Sequence, residues 1–163
     1  MILSQKDQLY DQRDITNERF KMRILAYREK AVILPPGVYF VFQSAPVDSD
    51  KWQDVLTVKG DQPIPIKPQQ LNFAGPYVGY GFISSYYIVT TNAGKNWSIW
   101  DGHQLLHQAN RQATNLSPYI EEIQMQIDGT GRMRLLSISV SVSEALTCSL
   151  PTMASIGTSR NSS

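Results

Sequence analysis

The two histidines of the chain, His103 and His107, stand four positions apart, a spacing that could serve metal chemistry. On a helix this spacing brings two imidazole rings to one face, where they could bind a metal ion. A zinc site of the protease type also needs a glutamate directly after the first histidine, and Gln104 stands there instead. Since no third ligand accompanies the pair, we predict two solvent-exposed polar residues, no metal site and no cofactor.

Nucleophilic and nucleotide-binding chemistry find no better support. The single cysteine, Cys148, has no basic neighbour that would favour its thiolate, and neither histidine lies near a Gly-x-Ser-x-Gly turn. Gly79 and Gly81 lack the third glycine and the following helix of a dinucleotide-binding loop, so they indicate a bend in a strand. The sequence therefore predicts no catalytic residue.

Charge and hydropathy limit the kinds of partner. Lysine and arginine together number 15 and aspartate and glutamate 14, so the net charge is +1, without the basic excess that nucleic-acid binding normally requires. No apolar run reaches membrane-spanning length and the first residues form no signal-peptide core, so no membrane insertion is predicted. We expect a cytoplasmic protein, or a periplasmic or exported one if a leader precedes this sequence.

The alternation of apolar and polar residues predicts the elements that position these side chains. The predicted fold class is mostly β: a small antiparallel β domain, built as a sandwich or as partial propeller-like sheets, with one short helix at 103–110. The clearest hairpin is predicted where Ile123, Met125 and Ile127 alternate with polar residues before an Asp128-Gly129 turn. The other predicted strands cover residues 20–27, 38–42, 52–58, 77–83, 86–89 and 98–100.

The predicted domain organisation is simple, because 163 residues suit a single hydrophobic core. A polar N-terminal segment is predicted at 1–14 and the antiparallel β domain at 15–143. Residues 144–163 become rich in serine and threonine, which predicts a flexible tail.

The stretch TTNAGKNW, from Thr90 to Trp97, links two predicted strands. Thr90, Asn92, Gly94 and Trp97 occupy the positions of the Asp-box, Ser/Thr-x-Asp/Asn-x-Gly-x-x-Trp, and the stretch resembles that motif of sialidases and other β-propellers. Each residue type suits a hairpin: hydroxyl and amide oxygens accept backbone N–H groups, glycine takes a positive φ and tryptophan buries its ring. The resemblance implies a structural turn away from any active site, and a single box implies less than a full propeller.

Sialidases also bind a carboxylate with an arginine cluster, which Arg111, Arg132 and Arg134 could imitate. The alternation places Arg132 and Arg134 opposite Glu122 and Gln124, so cross-strand pairing is the favoured interpretation. The order of strand, Asp-box, tryptophan strand and short helix also resembles small bacterial immunity proteins of type VI secretion systems, and that resemblance implies a protein partner.

Aromatic residues supply the remaining functional signal. Tyr77, Tyr80, Phe82, Tyr86 and Tyr87 crowd into eleven residues, and tyrosine is favoured at protein interfaces. Because alternation turns about half of these rings outward, we predict that they form a partner-binding face. The predicted function is a non-enzymatic protein-binding domain of the immunity or accessory kind. Two alternatives stay open: a sialidase-like or other hydrolase fragment that needs a partner chain, and a purely structural subunit.

Overall fold

The structure is a computed structural model that describes residues 7–29, 37–60, 62–101, 117–128, 130–138 and 143–150. Within these ranges the chain forms eleven strands in three antiparallel sheets and one 3-10 turn at Pro68–Gln70. The prediction of a mostly antiparallel β protein is confirmed. The helix predicted at 103–110 lies outside the described residues. Two compact units, residues 1–71 and 72–163, divide the chain.

The first sheet has four strands that follow one another along the chain and across the sheet. They are β1 (Gln8–Thr16), β2 (Phe20–Arg28), β3 (Val38–Pro46) and β4 (Gln53–Gly60). On β2 the residues Phe20, Met22 and Ile24 are fully buried, whereas Lys21 and Arg23 between them are partly exposed. The predicted period of two is therefore the pattern of burial from Phe20 to Ile24, but it is wrong at Leu25, which is buried as well.

The partly exposed face of this sheet carries a polar ladder across three strands. Arg23 Nε donates to Gln43 Oε1 at 2.6 Å, and the Gln43 amide donates to Asp54 Oδ1 at 2.6 Å. The guanidinium carbon of Arg23 lies 3.9 Å from the centre of the Trp52 ring, and Lys21 Nζ lies 5.0 Å from it. These cations are used in stacking and hydrogen bonding within the sheet.

β1 forms where the sequence predicts a polar segment outside the β domain. Residues 8–14 of that segment pair with β2, in a register that runs from Gln8↔Arg28 to Thr16↔Lys21 and is broken by a bulge after Leu9. The hydrogen bonds of the ladder come from the main chain, so an edge strand can form without apolar alternation. The predicted domain limits themselves stay a prediction.

Residues 62–68, predicted as an extended spacer, are attached to β1 through side chains. The Tyr10 hydroxyl donates to the Ile64 carbonyl at 3.0 Å. The Asp11 carboxylate accepts from the Ile66 N–H at 2.8 Å. The spacer is therefore fixed against the strand that begins the unit.

The second four-stranded sheet also runs in sequential antiparallel order. Its strands are β5 (Leu71–Phe73), β6 (Gly79–Ile83), β7 (Tyr86–Thr90) and β8 (Ser98–Asp101). All five residues of β6 and four of the five residues of β7 are buried. Its central strands are thus covered on both faces.

The third sheet has the order β11-β10-β9. Its strands are β9 (Ser117–Met125), β10 (Gly131–Ile138) and β11 (Ser143–Leu150). The predicted hairpin is the β9–β10 pair, and Ile120 and Ile123 on β9 are buried. β11 lies almost entirely within residues 144–163, which the sequence predicts to be a flexible tail. No strand is predicted there because the segment is rich in serine and threonine and has no clear apolar alternation.

Candidate functional site

The turn between β7 and β8 is held by its own polar side chains. Thr90 Oγ1 accepts from the Gly94 N–H at 3.0 Å and from the Asn92 N–H at 3.4 Å. Asn92 Oδ1 accepts from the Asn96 N–H at 2.9 Å. Gly94 has a φ of 82° and Ala93 a φ of 57°, so two consecutive residues are left-handed. Glycine adopts this conformation without the steric cost that alanine bears.

This arrangement uses all the hydrogen bonds that the Thr90 hydroxyl can make, so none is left for a ligand. Thr90 is fully buried, and its hydroxyl lies 3.0 Å from Asn92 Oδ1, to which it donates while accepting from the turn backbone. The Ala93 N–H donates to the Tyr77 carbonyl at 2.9 Å, which ties the turn to the loop before β6. Trp97 is partly buried at the end of the turn. The polar side chains of this turn therefore stabilise its own backbone.

The structure separates the five aromatic residues that the sequence groups together. Tyr80, Phe82 and Tyr87 are buried, with 7%, 4% and 0% of their surface exposed. Tyr77 is 47% exposed and Tyr86 is partly exposed. The three buried rings cannot be reached by a partner, so Tyr77 and Tyr86 are the accessible members of the predicted face.

The two buried tyrosines contact β9. The Tyr87 hydroxyl lies 4.0 Å from Met125 Sδ, and Tyr80 hydrogen-bonds to the backbone of Met125. Burial raises the pKa of Tyr87 and of Tyr80 above the usual tyrosine value. Both hydroxyl groups therefore stay protonated at neutral pH, which is unfavourable for a nucleophile and is normal for a core residue.

Two large apolar side chains of the second unit, Tyr77 and Ile127, are exposed on loops that meet at Gly75, and we call Gly75, Tyr77 and Ile127 the Tyr77–Ile127 patch. Ile127 is 70% exposed, although alternation predicts that it belongs to the apolar face with Ile123. Its side chain lies over Gly75, where an added Cβ would come within 2.7 Å of Ile127 Cγ1. Gly75 precedes Tyr77 by two residues. Sequence reasoning missed Ile127 because the hairpin strand ends before it, at Met125.

One carboxylate, that of Glu29 directly after β2, accepts two hydrogen bonds from residues at the start of the next strand. Glu29 Oε1 accepts from the Tyr39 hydroxyl at 2.5 Å, and Glu29 Oε2 accepts from the Gly37 N–H at 3.1 Å. The Tyr39 hydrogen bond is the main cause that lowers the Glu29 carboxyl pKa, and Lys59 lowers it further. Both donors lie at the start of β3 or just before it, so the Glu29 carboxylate links the two ends of the β2–β3 connection.

The arginines considered for carboxylate binding are placed by the β9–β10 register. Arg132 pairs with Gln124 and Arg134 with Glu122, as the alternation predicts, and both arginines are exposed. Arg111 and both histidines lie outside the described residues, so their predicted roles are not addressed. Among the described residues, no three His, Cys, Asp or Glu side chains gather as metal ligands would.

No protein family, no curated protein and no solved structure matches this chain. Where the structure describes the chain, it shows no helix with the length and apolar composition needed to cross a membrane. The resemblances to the Asp-box and to immunity proteins stay predictions. The function must therefore be argued from the side chains themselves.

Proposed function

We propose that this protein is a non-enzymatic binding domain that engages another protein through the Tyr77–Ile127 patch. The observation that carries the proposal is the exposure of two large apolar side chains, 47% for Tyr77 and 70% for Ile127, on adjoining loops. The same unit buries Tyr80, Phe82 and Tyr87, so these two side chains are exposed beside a core that takes in nearby rings. An exposed pair in such a unit marks a contact surface better than scattered single residues do.

The patch has the chemistry and the rigidity that a protein contact needs. Tyrosine is enriched among residues that dominate binding energy, and burying an isoleucine fully stabilises by about 1.5–3 kcal/mol. The Tyr77 carbonyl is held by the Ala93 N–H, and Ile127 rests on Gly75. A preorganised apolar surface loses little conformational entropy when a partner binds.

The β7–β8 turn supports this surface in the proposal. We take Thr90, Asn92, Gly94 and Trp97 as an Asp-box hairpin whose role is structural, and the hydrogen bonds to Thr90 and Asn92 support that assignment. The turn is connected to the patch by the hydrogen bond from the Ala93 N–H to the Tyr77 carbonyl. The partner is a protein with a complementary apolar surface, as an immunity or accessory role requires.

The test compares two double variants in quantitative affinity capture from the source cells. Tyr77→Ser with Ile127→Lys removes the patch. Leu9→Ser with Ile64→Lys makes similar changes at exposed apolar residues of the first unit, which are 44% and 55% exposed. Both variants should fold, because exposed substitutions usually change stability by less than about 0.5 kcal/mol.

We expect the wild type and the Leu9/Ile64 variant to recover the same protein. The Tyr77/Ile127 variant should bind that protein at least ~10-fold more weakly, since two central apolar contacts are worth more than about 1.4 kcal/mol. Equal recovery by both double variants would disprove the role of the patch. A wild type that captures no protein under these conditions would count against a binding function.

A further inference from the structure

The spacer, residues 62–68, carries prolines in a spacing that its attachment to β1 does not require. Pro65 and Pro68 stand three positions apart, and each follows an exposed larger side chain, Ile64 or Lys67. A polyproline II helix has three residues per turn, so residues three positions apart lie on the same edge. The sequence therefore offers two matching pairs, Ile64-Pro65 and Lys67-Pro68, about 9 Å apart at ~3.1 Å per residue.

The backbone of the spacer fits this kind of helix. Lys67 has a φ of −87° and a ψ of 148°, close to the roughly −75° and +145° of a polyproline II helix. Pro65 fixes its own φ and restricts Ile64 before it to extended conformations. A tight turn precedes this stretch, where the Ile64 N–H donates to the Gln62 carbonyl at 2.9 Å, and the 3-10 turn at Pro68–Gln70 follows it. The stretch between these turns is therefore little more than one turn of such a helix.

Exposure along the spacer follows the three edges of a polyproline II helix. Ile64 and Lys67 share one edge and are exposed, and Pro65 and Pro68 share the next edge and are exposed as well. Ile66 lies on the third edge and is only partly exposed, and its N–H donates to a carboxylate of β1 at 2.8 Å. Two of the three edges are therefore accessible, and together they form one side of the helix.

The main chain of residues 63–68, all of which the structure describes, has no N–H group left for a partner strand. Three of these six residues are prolines, which carry no N–H. The other three N–H groups donate within the first unit, at 2.9, 2.8 and 2.7 Å for Ile64, Ile66 and Lys67. A strand that adds to a sheet edge needs such donors, so this segment cannot form a ladder with one. A partner must therefore recognise it through side chains and carbonyl oxygens.

We propose that the spacer binds a partner domain that recognises polyproline II helices, through a proline face made of Ile64, Pro65, Lys67 and Pro68. The partner has a shallow groove lined with aromatic rings, against which the apolar side chains pack, and an acidic group that attracts Lys67. The hydrogen bonds of Tyr10 and Ile66 hold the segment extended before any partner arrives. Binding a segment that is already extended loses less conformational entropy than binding a free peptide.

The first test titrates the full chain into a panel of purified SH3 and WW domains, which recognise polyproline II helices. Each domain is isotope-labelled, so that its NMR chemical shifts give both the Kd and the residues that are contacted. We expect at least one domain of the panel to bind, with the largest shift changes at the aromatic residues of its groove. Binding by no domain of the panel, or shift changes away from the groove, would overturn the proposal.

The second test removes the two proline rings of the face. Pro65→Ala with Pro68→Ala should raise the Kd at least ~10-fold, because both ring contacts and the fixed extended backbone are lost. The matched control is Pro63→Ala, which makes the same change at an exposed proline in the turn before the extended stretch. Its Kd should stay within about twofold of wild type. An equal loss in both variants, each shown to be folded by thermal unfolding, would overturn the proposal.

A third test keeps every proline and reverses one charge. Lys67→Glu should weaken binding to the same domain, and its difference from wild type should shrink as salt is added, because salt screens exposed charges. The control is Lys95→Glu, which makes the same change of net charge at an exposed lysine of the second unit. It should bind like the wild type. A Lys67→Glu variant with wild-type affinity would contradict the acidic groove and overturn the proposal.

The proline face is independent of the Tyr77–Ile127 patch, and the two can fail separately. The Tyr77/Ile127 variant should bind the panel domain like the wild type. The Leu9/Ile64 variant should bind that domain more weakly, because Ile64 belongs to the proline face, while it keeps the protein that the patch captures. A panel domain that the Tyr77/Ile127 variant no longer binds, and that the Pro65/Pro68 variant still binds, would overturn the proposal.

Discussion

The two four-stranded sheets share one topology and differ in how their central strands are covered. Both run in sequential antiparallel order. The first half of β2 alternates between fully buried residues such as Met22 and partly exposed ones such as Arg23, whereas β6 is buried at all five positions. A strand covered on one face keeps its polar alternation, and a strand covered on both faces does not need it.

This difference changes the meaning of an aromatic cluster. In the first sheet, polar or amphipathic residues out of phase with Phe20, Met22 and Ile24 reach the surface, as Arg23 and Tyr27 do, whereas Leu25 between them is buried. In the second sheet, Tyr80 and Tyr87 stay buried although the chain there is dense in aromatic rings. Crowding of tyrosines therefore indicates a core strand here, and the accessible Tyr77 is found before the strand begins.

The largest expected effect compares a tyrosine from each sheet. Tyr87→Ala should lower the free energy of unfolding by about 3–5 kcal/mol, because it empties a fully buried site beside Met125. Tyr27→Ala should cost about 1 kcal/mol or less, since Tyr27 is partly exposed on β2. Urea denaturation measures both values. Equal costs would show that the two sheets are covered alike.

A smaller effect is expected in the turn that joins β7 and β8. Gly94→Ala should cost about 1–2 kcal/mol, because Gly94 has a φ of 82° that alanine adopts only with strain. Ala93→Gly should be neutral or slightly stabilising, since Ala93 already bears that strain at a φ of 57°. Thermal unfolding separates the two signs, and a destabilised Ala93→Gly would contradict the strained turn.

The smallest effect concerns the hairpin end of the first sheet and depends on pH. The Tyr39 hydrogen bond lowers the Glu29 pKa below its usual 4.5, so Glu29 stabilises the folded state above that pH. This contribution is lost as pH falls through the folded-state pKa. Glu29→Gln should therefore lower Tm at pH 7 and match the wild type in acid.

Gly94→Ala is the control for that pH dependence. The turn between β7 and β8 is held by a hydroxyl and an amide, which do not titrate. Its loss of Tm relative to wild type should stay constant over the same pH range. A Glu29→Gln difference that also stayed constant would mean that the carboxylate does not act through its charge.

Strands with alternating or aromatic sequences could be predicted, and outer strands without them could not. The prediction at 20–27 falls inside β2, where the first residues alternate between buried and partly exposed. The prediction at 38–42 falls inside β3, where a run of β-branched and aromatic residues marks the strand. β1 and β11 were not predicted, since their ladders depend on main-chain groups that every residue type supplies. Sequence reports what is buried more clearly than what is paired.

The candidate site could be predicted only in part. The roles of Thr90, Asn92 and Gly94 within a turn depend on neighbours in sequence, so local chemistry is enough to suggest them. The patch depends on Ile127 lying over Gly75, a contact between residues more than fifty positions apart. No local pattern contains that contact, and the apolar alternation points to the opposite conclusion for Ile127.

The attachment of residues 62–68 to β1 has a consequence for how the first unit is made. Tyr10 and Asp11 bind Ile64 and Ile66, about fifty-five positions later in the chain. On the ribosome, β1 emerges before the other three strands of its sheet, and its hydrogen bonds to the spacer can form only after the spacer has been synthesised. The earliest strand of this sheet to be translated is thus the last to gain these contacts, and a nascent chain stalled before Ile66 would lack the hydrogen bond from the Ile66 N–H to Asp11.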